Sequence, residues 1–62
     1  MIYNEVHVGT ASTADKLIDI LLSIKTHVPS AFAAASIIQA GGERSSDIEV
    51  WYDMGTNTVI LK

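Results

Sequence analysis

The chain has 62 residues, a hydrophobic content of 48%, no cysteine, two histidines and a net charge of −3. A single domain of this length buries only ~60% of the surface its unfolded chain exposes; without disulfides or a Cys/His ligand set, self-association is the remaining route to stability. Its four basic residues are not clustered, which argues against duplex nucleic acid. No apolar run nears the ~18 residues of a membrane span, and no basic-then-apolar leader opens the chain. The expectation is a soluble, cytoplasmic, acidic protein whose mean hydropathy of +0.30 exceeds what one small subunit can hide.

Ile2 to Val8 alternates Ile2, Asn4, Val6 and Val8 with Tyr3, Glu5 and His7, the period of a half-buried strand that Gly9 and Thr10 should end. The segment from Ser12 to His27 is the longest periodic stretch and predicts a helix. With residues roughly 100° apart, Leu17, Ile18, Leu21, Ile24 and Val28 form one stripe with Ala14, and Ile20 and Leu22 flank it. The apolar arc then spans about 200°, twice what a one-sided surface helix needs. A sheet beneath it covers only part, so Ile20 and Leu22 become candidates for an oligomer interface. Ser12 and Asp15 have the spacing of a capping box, Lys25 and His27 suit the negative end of the dipole, and Pro29 stops the helix near Val28.

Two readings compete for the stretch from Val28 to Gly42. Its alanines favour a second, shorter helix with Pro29 or Ser30 in the first turn and Gly41 beyond its end. Ser36, Ile37 and Ile38 carry no clear period and prefer a pleated surface, which favours a strand over residues 34–40. Gly41 to Asp47 is a loop by composition. Ile48 to Asp53 and Thr58 to Lys62 read as strands joined by a hairpin through Met54, Gly55, Thr56 and Asn57. The expected architecture is α+β: a three-stranded, mainly antiparallel sheet in β-α-α-β-β order under one long helix and a second shorter one. The alternative is β-α-β-β-β.

In that sheet Ile48, Val50, Tyr52, Val59 and Leu61 join Ile2, Val6 and Val8 beneath the helix, leaving Tyr3, Trp51 and Ile60 on the opposite face. An apolar patch rimmed by acids marks a contact surface, and tryptophan and tyrosine anchor such surfaces. The first expectation for function is therefore a non-enzymatic, homo-oligomeric binding protein, a protein-interaction or inhibitor module using Tyr3, Trp51, Ile60, Ile20 and Leu22. The second is a protein sequestering an anionic, nucleotide-like ligand in intersubunit pockets through Arg44, Ser45 and Ser46, whose loop has the makings of an anion nest. A minimal enzyme using His7 with Glu5 is the third. Two histidines in different elements, without HxxxH or HExxH spacing, give no case for a metal, and no cofactor motif occurs.

Overall fold

The computed structural model describes residues 5–40 and 46–62. Among these residues six elements follow one another: β1 (Glu5–Ala11), α1 (Ala14–His27), α2 (Pro29–Ala33), β2 (Ser36–Gln39), β3 (Ile48–Asp53) and β4 (Thr58–Leu61). The strands form one sheet in the order β1-β3-β4-β2. β3 runs antiparallel to both β1 and β4, while β2 runs parallel to β4. The two edge strands therefore point the same way, linked by the helices, with the β3–β4 hairpin inserted between them. The sheet is thus four-stranded and mixed, a correction to the expected three antiparallel strands.

The extra strand comes from the ambiguous stretch, which divides between its two readings. Pro29 sits in the first turn of α2, where its missing N–H costs nothing. The helix stops after Ala33, and the Ala34 and Ala35 amides close tight turns onto the Ala31 and Phe32 carbonyls. From Ser36 the chain extends, and Ile37 and Ile38 pair with Val59 and Ile60.

Asn57 decides where that change falls. It is the one non-glycine residue among those described with positive φ, at 52°, a conformation asparagine tolerates better than most residues. Its backbone carbonyl accepts the Ser36 N–H at 3.0 Å, and its side-chain amide donates to the Ala31 carbonyl at 2.7 Å. The Tyr52 hydroxyl donates to its Oδ1 at 2.5 Å. One turn residue thereby ties α2, the start of β2 and the core side of β3 together. Asp53 braces the same turn by accepting the amides of Gly55 and Thr56.

β1 also departs from expectation. Gly9 and Thr10 do not end it; the strand runs to Ala11, and its register with β3 slips between His7 and Gly9, so that Val8 is the extra residue of a bulge. Gly9 is an interior position where α1 comes close, because a Cβ there would lie 3.0 Å from Ile20 Cδ1. The expected start of this strand at Ile2, and Tyr3 with it, lies outside the described residues.

α1 is capped by Thr13, not Ser12: the Thr13 hydroxyl accepts the Lys16 N–H at 3.2 Å. The helix ends at His27, as Pro29 requires, and the Val28 amide still reaches the Ile24 carbonyl. Its inner face is formed by Ile20 and Ile24, flanked by Leu17, Leu21 and Val28, while Ile18 and Leu22 are exposed. Beneath it lie Ala11, Val50, Tyr52 and Val59, with Val50 fully buried. This single core occupies one side of the sheet, within a slab 16 Å thick measured between Cα atoms.

Candidate interaction surfaces

Side chains alternate across a sheet, and the register puts Val6, Tyr52, Val59 and Ile37 in one row toward the helices. The next row, His7, Trp51, Ile60 and Ile38, lies on the other side. This outer face is organised by Trp51. The His7 ring meets it at 5.0 Å between centroids, tilted by 55°, and the Lys62 ammonium lies 4.6 Å from the indole centroid, within cation–π range. Lys62 also reaches Glu5 at 3.8 Å. Ile60, between Trp51 and Ile38 in the sheet, is only 9% exposed. The indole Nε1 is buried and has no hydrogen-bond partner among the described residues, a situation that costs about 1–3 kcal/mol.

His7 does not face Glu5 as expected. Its Nε2 lies 3.8 Å from Glu49 on β3 and 3.4 Å from the Thr10 hydroxyl, while Glu5 turns to Lys62. Residues two apart on one strand share a face but stand nearly 7 Å apart, whereas neighbours across the ladder stand closer. The other histidine uses Nδ1 to donate to the Ser23 carbonyl at 2.8 Å on its own helix. Among the described residues no three His, Asp or Glu side chains converge as a metal site would require.

The remaining sequence-derived candidates separate. Ile20 is core, packed against the sheet, and so is removed from any interface. Leu22 is exposed on α1. Arg44 and Ser45 lie outside the described residues; Ser46 is exposed and joins Ser12 and Thr13 around a recess of about 290 Å³ at the start of α1.

Three further features were not singled out from the sequence. A cleft of about 370 Å³ opens between β1, the last turns of α1 and the hairpin, with Val6, Ile24, Val28, Tyr52 and Met54 on its walls. A smaller apolar groove of about 170 Å³ runs between Leu21, Phe32 and Ile37. The third is β2 itself. All four of its residues are exposed, with Ile37 at 74% and Ile38 at 52%, and among the described residues no strand pairs with its outer edge. The adjacent isoleucines were its sequence signal.

No family model, curated protein or solved structure matches the chain.

Proposed function

We propose that this chain is a small binding protein that works as a homo-oligomer, meeting other proteins through exposed strand and sheet surfaces and acting by occupancy, not by catalysis. The observation that carries the reading is β2, an edge strand with two large aliphatic side chains in solvent. Exposed apolar strand edges recruit further strands. The core points the same way, since the helix layer covers one side of the sheet and leaves Ile18 and Leu22 of α1 outside. On the outer face, His7, Glu5, Glu49 and Lys62 are engaged with one another around Trp51, which suits a structured contact surface with an acidic rim.

Sedimentation velocity over a concentration series tests the reading. A dimer or larger species at micromolar concentration is expected, and a monomer throughout would contradict it.

A second reading is favoured by the recess at the start of α1, which Ser12, Thr13 and Ser46 line together with apolar residues. It makes the chain a sequestering protein for an anionic, nucleotide-like ligand, with Arg44 and Ser45 as neighbours of Ser46 in sequence. Heat stabilisation by members of a nucleotide panel supports that reading, and an unmoved melting temperature across the panel removes it.

A further inference from the structure

We infer that β2 is the site at which two copies of this chain join, as an antiparallel β2–β2 pair centred on Ile38, so that the four-stranded sheet continues from one copy into the other. The inference rests on the reading of the chain as a homo-oligomer and assigns the surface and register.

The register follows from the hydrogen bonds already made. Ser36 N–H donates to the Asn57 carbonyl at 3.0 Å and Ala40 N–H to the Leu61 carbonyl at 2.8 Å. Successive residues of a strand direct their N–H and C=O groups to alternate sides. Ser36, Ile38 and Ala40 are therefore turned toward β4, and Ile37 and Gln39 present their amides and carbonyls to the free edge. In an antiparallel pair, hydrogen-bonded positions are those at which both residues turn toward the other strand. A two-fold axis normal to the sheet also sets side chains of like face opposite each other. A centre on any residue of β2 meets both conditions, but Gln39 would set Ile37 opposite residue 41, beyond the end of the strand, and Ser36 would pair Ile37 with Ala35. Centring on Ile37 needs Ala35 as a paired residue, but the Ala35 amide is already bound to the Phe32 carbonyl in the turn after α2. Centring on Ile38 uses only the extended residues. Ile37 exchanges two hydrogen bonds with Gln39 of the second copy, Gln39 does the same with Ile37, and the two Ile38 side chains meet on the outer face beside Ile60.

The distribution of charge leaves this edge open to a second copy. A two-fold axis brings charges near the interface close to their own counterparts, and like charges directly opposed across a ladder destabilise it. The outer sheet face carries Glu5, Glu49, Asp53 and Lys62, and the first turns of α1 carry Asp15, Lys16 and Asp19. Between Lys25 and Glu43 there is no Asp, Glu, Lys or Arg. Copies each carrying −3 can thus approach along β2 without setting like charges face to face.

The chain has no cysteine, so one engineered thiol per copy reports the register. At a non-hydrogen-bonded antiparallel pair the Cα atoms lie about 4.5 Å apart, within the span of a disulfide. In the Ile38-centred register residue 37 lies roughly 8 Å from its own counterpart, as does residue 39, which is too far. Ile38→Cys, Ile37→Cys and Gln39→Cys are each oxidised in a glutathione buffer, beside sedimentation of the unmodified chain. The expected result is a disulfide-linked dimer that forms at least about tenfold faster for Ile38→Cys than for the other two. Equal rates for all three, or the fastest rate for Ile37→Cys or Gln39→Cys, overturn the register. If none cross-links while the unmodified chain sediments as an oligomer, the copies meet elsewhere and the inference fails alone. A strictly monomeric chain would remove the inference and the oligomer reading together.

Discussion

The two edge strands of this sheet run in the same direction and follow opposite rules. β1 has a bulge at Val8, carries Glu5 and His7 engaged with Lys62 and Glu49, and lies beneath α1 with Gly9 against Ile20. β2 is four residues long, uncharged, regular in its pairing with β4 and exposed along its whole length. Bulges, charges and covering helices are the devices by which folded proteins keep sheet edges from recruiting other chains. One edge has all three; the other is kept short and has none of them. The contrast teaches that the exposed isoleucines cannot be put down to small size alone, since the same small chain closes its first edge.

The comparison is broken most severely by emptying the guarded side. Ile20→Ala removes the side chain packed on Gly9 and should cost about 2–5 kcal/mol, the range for deleting a buried aliphatic, which for a domain this small approaches its whole stability. Urea denaturation measures it, and a loss well below that range would mean that α1 does not hold β1.

Asn57→Ala comes next, at about 2 kcal/mol: it forces alanine into a left-handed conformation and strips the Tyr52 hydroxyl of its partner. Asn57→Gly should recover about 1 kcal/mol of that, the backbone share. Equal losses for the two variants would show that the side-chain ties carry all of the effect.

On the open edge, Ile37→Lys should change protomer stability by no more than about 0.5 kcal/mol, as exposed positions do, while lowering the oligomer fraction seen by light scattering. A large fall in protomer stability would place Ile37 in the core instead. A comparably small effect is expected of Trp51→Phe, which keeps an aromatic ring beside His7 and Lys62 and removes the unpartnered N–H. Stability within about 1 kcal/mol of the parent is expected, and a loss greater than that would show that the indole nitrogen has a partner in solution.

Much of this contrast was legible in the sequence on one side and hidden on the other. The helix itself, its stop before Pro29 and the parity that turns Trp51 away from Val50 and Tyr52 are local patterns, and the structure has all three. The apolar arc of α1 is too wide to show that Ile20 faces the sheet and Ile18 the solvent. The fate of residues 28–40 was not local. Alanine propensity and the isoleucine pair point in opposite directions, and the balance is struck by Asn57, which reaches Ala31 across 26 positions of chain. Gly9 looked like a strand end because glycine usually punctuates; only the approach of Ile20 explains an interior glycine. The cap moved from Ser12 to Thr13 because both can serve and the strand before them runs further than its glycine implied. For the surface residues the pattern gives faces but not partners, so it points His7 to its strand neighbour Glu5, whereas the ladder brings it to Glu49.

Amide hydrogen exchange along β2, read residue by residue at increasing protein concentration, tests the open-edge account most directly. The account predicts that Ile38 and Ala40, bonded inward to β4, are protected at every concentration, and that Ile37 and Gln39 exchange freely when dilute and become protected as copies associate. Exchange at Ile37 and Gln39 that stays fast at every concentration would contradict it.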